Sequence, residues 1–337
     1  MESEVARPDA VEISINRLKV HFALKQSMTA VLLSKPKKVV RAVDDVSLEV
    51  RRNEVLGLVG ETGCGKSTIA KTILRMNPIS GGTILYRGVD VQRLSGQDLM
   101  RYYSAVQMVW QDPSSCLNPR MQVGEILSRP LIRFKKIGRR EALERIRPAM
   151  RIVGLNENEV SRYPHEFSGG GKQRIVIARA LINEPSFLIA DEPTSSLDVS
   201  IQAQILNLIK SLKNSLGLTM LYISHNLSTI SFLSTRVAVM YFGRIVELLP
   251  NENMTRRNYH WYTRRLIDAI PKGTRMVNAA VSQESESRLN HQGCIYYFSC
   301  ENAKQRCREE RPELREMERE HLVACHYPIE HGRSEPR

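Results

Sequence analysis

No run of about 18 apolar residues occurs in the 337-residue chain, so the sequence predicts no membrane-spanning helix. The opening residues, MESEVARPDAVE, lack the basic start and apolar middle of a secretion signal. Work at a membrane would therefore depend on partners that carry the chain there. Aromatic residues make up only 6% and do not interleave with basic ones as in RNA-recognition motifs. The net charge of +13 thus reads as a solvated surface, or one suited to an anionic membrane face, and no nucleic acid is expected as a partner. Cysteine is sparse in the body, where Cys64 and Cys116 stand alone, whereas Cys294, Cys300, Cys307 and Cys325 crowd the last quarter. In a chain without a secretion signal, clustered thiols point to metal before disulfides. Internal repeats and long low-complexity runs are also missing.

What is present is ordinary for a globular protein: 42% hydrophobic and 25% charged residues, in a length that suggests about two domains. Polar and apolar residues roughly alternate over 11–20, as in an edge strand, and a basic irregular stretch follows. Short apolar runs predict strands over 46–50, 54–59, 107–110, 187–190, 219–223 and 236–241. Helical periodicity predicts helices over 66–76, 141–153 and 172–182. Strands alternating with helices argue for a parallel α/β core, with a helical subdomain inserted at about 120–183. Residues 1–12 read as a flexible tail, 13–272 as the main domain and 273–337 as a small cysteine-rich domain, entered through a polar stretch over 274–286.

The strongest local motif is Gly60-Glu61-Thr62-Gly63-Cys64-Gly65-Lys66-Ser67-Thr68, which fits G-x-x-x-x-G-K-[ST] between a predicted strand and helix. Glycines let the backbone wrap phosphates, and the helix start offers unpaired N–H groups to the anion. Lys66 would reach the β- and γ-phosphates and Ser67 would ligate Mg²⁺, which makes ATP the expected ligand. Cys64 fills a variable position. The apolar run Phe187-Leu188-Ile189-Ala190 delivers Asp191 to the metal, and Glu192 stands ready to polarise the attacking water. A second glycine-rich turn, Ser168-Gly169-Gly170-Gly171, opens another helix. One nucleotide does not need two phosphate sites, so this turn makes sense as a cap on ATP held by a partner.

In this order the motifs resemble those of the ABC ATPase family over roughly residues 13–270. Gly60 to Thr68 resembles its Walker A loop and Asp191-Glu192 its Walker B strand with catalytic glutamate. Ser168-Gly169-Gly170 is similar to the family signature, although Gly171 stands where glutamine is usual. Asp198 in Ser195-Ser196-Leu197-Asp198 is similar to the D-loop aspartate, His225 to the switch histidine, and Gln111 to the Q-loop glutamine that senses Mg²⁺ and water. The resemblance implies a P-loop NTPase fold, two ATPase subunits meeting head to tail, and Ser168, Gly169, Gly170 and Asp198 acting on the partner's nucleotide.

Gln111-Asp112-Pro113-Ser114-Ser115-Cys116-Leu117-Asn118-Pro119-Arg120 is similar to the Q-loop of dipeptide and oligopeptide permease ATPases. So are Arg236 to Gly243 and His260-Trp261-Tyr262-Thr263, where the group normally has proline second. That resemblance implies an aromatic residue on adenine, for which Phe22 is the candidate; a strand-end core residue is the other reading. It also implies a second, non-identical ATPase subunit, two integral membrane permease subunits, a periplasmic or extracellular peptide-binding protein, and a peripheral place on the cytoplasmic face of the cell membrane. Other cargoes, such as nickel, glutathione or sugars, stay open, as does a soluble ABC ATPase acting on ribosomes. The spacing Cys294-x₅-Cys300-x₆-Cys307-x₁₇-Cys325 chooses by itself between neither zinc nor an iron–sulfur cluster nor unligated thiols. Its likeness to the permease ATPase extension implies a [4Fe–4S] cluster.

Overall fold

The computed structural model describes residues 10–23, 39–269 and 292–331. The tail predicted over 1–12 and the basic stretch around 23–41 fall largely outside these residues, and the polar stretch over 274–286 wholly so.

Strand β1 (Val11–Ala23) buries Ile13 and Ile15, then Leu18 and Val20. The alternation slips by one residue at Arg17, whose φ of 48° is left-handed, as at a β-bulge. Next come β2 (Val39–Arg51) and β3 (Val55–Val59), in which every residue is buried. Helix α1 (Lys66–Ile73) starts from Gly65. Strand β4 (Gly81–Tyr86) turns back into β5 (Val89–Asp90) through Arg87 and Gly88, both at positive φ, which matches the right-handed twist of a hairpin. Helix α2 (Gly96–Ala105) leads into β6 (Val106–Val109).

A helical stretch follows, with α3 (Val123–Pro130), α4 (Arg139–Ile152) and α5 (Gly169–Leu181), and no strand occurs before β7 (Phe187–Asp191) among these described residues. The remainder comprises α6 (Val199–Leu216), β8 (Thr219–Ser224), α7 (Leu227–Leu233), β9 (Arg236–Tyr241), β10 (Arg244–Pro250), α8 (Trp261–Asp268), β11 (Arg315–Glu318) and β12 (His321–Val323).

The described residues divide into two compact units. One takes in 10–13, 50–55 and 86–223. In it β6, β7 and β8 run parallel, with Val106 opposite Phe187 and Asp191 opposite Ile223. Strands β7 and β8 are buried throughout, which is why they read as unbroken apolar runs. Helices α3, α4 and α5 pack on one another, and Ile126, Leu127, Ala142, Ile146, Met150 and Ile175 on them are buried. The buried carboxylate of Glu12 accepts from Arg52 and Arg87.

The other unit takes in the described residues of 14–49, 56–85 and 224–331. Here β3 runs parallel to β9, β10 folds back antiparallel on β9, and β12 adds to β10 with Glu247 opposite Val323. A strand of the cysteine-bearing segment thus shares a sheet with the residues before 272. In a separate sheet β1 lies between β2 and β4, so it is an interior strand and not the edge strand that its sequence suggests. The mixed composition of β1 misleads because buried Glu12 interrupts the apolar face and the bulge shifts its phase.

Candidate functional site: a phosphate loop and its partners

The glycine-rich loop leaves the buried end of β3 and enters α1. Its glycines are fixed by close backbone approaches. A Cβ on Gly60 would lie 2.1 Å from the Met240 carbonyl oxygen, and one on Gly65 would lie 2.1 Å from that of Ala42, at a φ of 111°. Only glycine fits either place. Lys66 is buried, and its Nζ donates to the carbonyl oxygens of Gly60 at 2.7 Å and Glu61 at 2.9 Å. The ammonium is therefore held inside the loop that would wrap the phosphates. Thr62 and Gly63 are exposed at the crest, while Ser67 and Thr68 are half-buried on the first turn of α1. Cys64 is packed under the loop, where burial pushes its thiol pKa up.

The other unit carries the acidic half of the predicted site. Strand β7 ends in buried Asp191. Glu192 follows at a φ of 47°, a left-handed conformation that a side-chain-bearing residue holds only when its surroundings enforce it. Its N–H donates to the Ile223 carbonyl at 2.9 Å, and its own carbonyl accepts from the Ser195 N–H and Oγ. Gln111, just beyond β6, reaches Glu192 by a hydrogen bond from Nε2 to Oε2 at 3.2 Å. The structure thus brings together two residues separated by 81 positions that the sequence singles out independently.

In the same unit Ser168 caps α5, its Oγ accepting from the Gly171 N–H at 3.2 Å. A Cβ on Gly169 would touch Leu197, and one on Gly170 would press Ile201 at 2.7 Å. The signature turn therefore lies against the segment containing Asp198, which is exposed at the N-cap of α6. Ser168 and Gly169 are exposed too, while Gly170 is buried. His225 is exposed at the end of β8, in the unit of the phosphate loop. Phe22 is half-buried near the end of β1.

Sequence reading missed a buried polar centre beside the phosphate loop. Glu247, fully buried on β10, accepts from the Tyr259 N–H at 2.7 Å, the His260 N–H at 3.1 Å and His321 Nε2 at 2.7 Å. His260 Nδ1 accepts from the Tyr262 N–H at 3.1 Å and so caps α8. Burial lowers the His260 pKa to about 4, against a weaker opposing pull from Glu247. The hydroxyl of Tyr262 then accepts from the Glu61 N–H of the phosphate loop at 3.1 Å. A glutamate inside a strand that otherwise reads Ile245-Val246-Leu248-Leu249 was the available signal, because a buried carboxylate demands partners.

Of the four tail cysteines, Cys294, Cys307 and Cys325 are buried and Cys300 is half-buried. The Cys294 N–H donates to the Cys307 carbonyl at 2.8 Å. Burial, with a further push from neighbouring thiols of the set, raises Cys294 to about 11 and Cys325 to about 12. The Cys325 thiol feels those of Cys294, Cys300 and Cys307 electrostatically. Among the described residues, however, no group of three or more His, Cys, Asp or Glu side chains is arranged to hold a metal ion. No helix of the described residues is long and apolar enough to cross a membrane.

Comparison with known proteins agrees with this geometry. Residues 43–195 match the ABC transporter family, and residues 246–307 match the oligopeptide/dipeptide transporter C-terminal region. The chain is 44% identical over 291 residues to a putative peptide import ATP-binding protein of Brucella ovis, covering 85% of this chain and 92% of that protein. It is 45% identical over 261 residues to the oligopeptide transport ATP-binding protein OppF of Bacillus subtilis, covering 77% and 82%. In fold it is similar to CbiO1 from Clostridium perfringens, with a TM-score of 0.61 at 24% identity over 73% of this chain and 90% of that one. A dimeric ATP-binding cassette bound to ADP and Pi gives 0.59 at 25% identity over 71% and 98%. With its phosphate loop, its acidic strand end and this degree of identity, the chain belongs to the ATP-binding proteins of ABC transporters, in the group that bears the oligopeptide/dipeptide C-terminal region.

Proposed function

We propose that this chain is the ATP-hydrolysing motor of a peptide importer, peripheral on the cytoplasmic face of the membrane. It works as a head-to-tail dimer with a second, non-identical ATPase subunit on two permease subunits, fed by a peptide-binding protein. The observation that carries this reading is the buried Lys66, gripped by the carbonyls of a loop where only glycine fits, in a chain so similar to proteins named for peptide import.

The residues divide the work by chemistry. The backbone of Gly60–Thr68 and the Lys66 ammonium bind the phosphates, and Phe22 stacks on the adenine. Ser67, Asp191 and Gln111 would hold Mg²⁺, which supplies charge neutralisation at the β- and γ-phosphates. Glu192 orients and polarises the attacking water, with Gln111 fixing its carboxylate. His225 donates to the γ-phosphate. Ser168, Gly169, Gly170 and Asp198 act on the partner's ATP. Closure is driven because ATP binds the closed dimer more tightly than the open one, and hydrolysis resets it.

The four tail cysteines belong to this reading as ligands of a [4Fe–4S] cluster, with zinc as the alternative occupant. The support is the all-thiol donor set and the electrostatic influence of Cys294, Cys300 and Cys307 on the Cys325 thiol. When bound, such a cluster would cross-link the tail through its Fe–S bonds, and ATP hydrolysis would ask no electron of it. Iron, sulfide and zinc are to be assayed on protein purified without oxygen, beside Cys300→Ser. About four irons and four sulfides, lost in the variant, are expected; zinc, or no metal, rules the cluster out.

The cargo is tested in vesicles containing the full complex. Peptide-loaded binding protein is expected to raise ATP turnover. Stimulation by a nickel, glutathione or sugar system, with none by peptide, would assign another cargo to the same motor.

A further inference from the structure

The geometry points to Tyr262 as a positioning residue of the phosphate loop: it fixes the Gly60–Glu61 peptide whose carbonyl holds Lys66. The Gly60 carbonyl and the Glu61 N–H are the two ends of one peptide group. That group is planar and trans, so its C=O and N–H point in opposite directions. Lys66 Nζ donates to the carbonyl end at 2.7 Å, and the Tyr262 hydroxyl accepts from the N–H end at 3.1 Å. Anchoring one end sets the direction of the other. Were the N–H released, the peptide could rotate and the oxygen would leave Lys66.

Tyr262 is itself firmly seated. It is 1% exposed, and its ring lies 4.6 Å from that of Tyr241 and 5.5 Å from that of Tyr296, centroid to centroid. Its backbone N–H is held by His260, whose own N–H is held by Glu247. The sequence His260-Trp261-Tyr262 thereby acquires a division of labour. His260 caps the helix, Trp261 donates from Nε1 to the Tyr327 carbonyl of the tail at 3.0 Å, and Tyr262 reaches the loop. Burial raises the Tyr262 pKa, so the group stays a neutral hydroxyl with lone pairs for the N–H. Tyr296 lies in the cysteine-bearing tail, so the tail contributes to the seat of a residue that shapes the nucleotide site.

This inference rests on the ATPase reading above. The test uses the full-length chain and three variants: Tyr262→Phe, Trp261→Phe and Lys66→Ala. Equilibrium binding of Mg-ATP and the melting temperature are measured for each, and KM and kcat are measured in the assembled complex. Tyr262→Phe removes one oxygen and keeps the ring. It is expected to raise the Kd and KM for ATP about fivefold, with kcat changed less than about twofold. Trp261→Phe loses a hydrogen bond from the same helix without touching the loop, and its Kd is expected to match wild type. Lys66→Ala is expected to lose binding. Loss of binding in Lys66→Ala with an unchanged Kd in Tyr262→Phe would overturn the positioning role and leave the ATP site intact. Unchanged binding in Lys66→Ala would overturn the site itself. Amide exchange in the unsubstituted chain checks the same bond without a variant: the Glu61 N–H is expected to be protected without nucleotide, and fast exchange there would overturn the role.

Discussion

Gln111 and Glu192 form a hydrogen bond of 3.2 Å from the amide Nε2 to the carboxylate Oε2, and the Glu192 backbone is held in a left-handed conformation. The carboxylate is thereby aimed by two independent constraints, one on its side chain and one on its main chain. Glu192→Gln preserves the shape and removes the charge that, in the proposed mechanism, polarises water. ATP turnover is expected to fall at least about 100-fold. ATP affinity should stay within about twofold, because the carboxylate contributes to attack rather than to phosphate binding. Phosphate release and ATP binding on the same preparation check both halves; wild-type turnover would sink the assignment.

The glycines of the phosphate loop should differ in tolerance. Gly65→Ala drives a methyl into the Ala42 carbonyl, which backbone cannot yield cheaply. It is expected to abolish ATP binding. Gly63, at a φ of 86°, has nothing within 4 Å of an added Cβ, so Gly63→Ala meets only backbone strain, roughly 1–2 kcal/mol. Its expected effect is a weakened but measurable affinity. Equal loss in both variants would mean that flexibility of the loop, not close packing, sets its glycine content.

The phosphate loop and the acidic pair are legible in the sequence because each is a short-range signal. Strands β3, β7 and β8 are apolar throughout, and the phosphate loop and the Asp191-Glu192 pair follow such runs directly. Strand β1 has the pattern of an edge strand although it is interior, because its phase slips at Arg17. The hairpin of β4 and β5 carries few buried residues, so no period betrayed it. Strands β11 and β12 are only four and three residues long, too short to show a period, and β12 pairs with β10 across about 75 residues, beyond any local pattern. Tyr262 illustrates the same limit. The motif around it was visible, but its hydroxyl meets a backbone N–H 201 positions earlier, and no spacing encodes that.

Glu247 gathers three donors at a fully buried point. Removing the carboxylate leaves two backbone N–H groups and an imidazole without their acceptor. Glu247→Ala is expected to destabilise the fold by about 3–5 kcal/mol. Glu247→Gln keeps one acceptor oxygen and should cost about half as much. Chemical denaturation of both variants gives the comparison; a loss below about 1 kcal/mol for the alanine variant would show that the centre is far less dependent on this group than its geometry implies.

His260 gives the fold a dependence on pH whose direction follows from its burial. Its pKa is lowered to about 4 in the folded chain, while an unfolded histidine titrates near 6.5. Above about 6.5 both states are neutral at this residue and its contribution is complete. As the pH falls from about 6.5 to about 4, the unfolded chain takes up a proton that the folded chain refuses, so stability is lost. The loss is about 2 kcal/mol by pH 5 and about 3 kcal/mol once pH 4 is reached. Below that point the folded form takes up the proton too, which breaks the cap, because a protonated Nδ1 cannot accept from the Tyr262 N–H. His260→Asn supplies a capping oxygen without a titrating ring. Urea titrations at pH 7.5 and pH 5 are expected to show a smaller drop in the asparagine variant than in the unsubstituted chain, by about 2 kcal/mol. An identical drop in both proteins would place the acid sensitivity on other groups, because only the residue that differs between them can account for a difference in proton uptake.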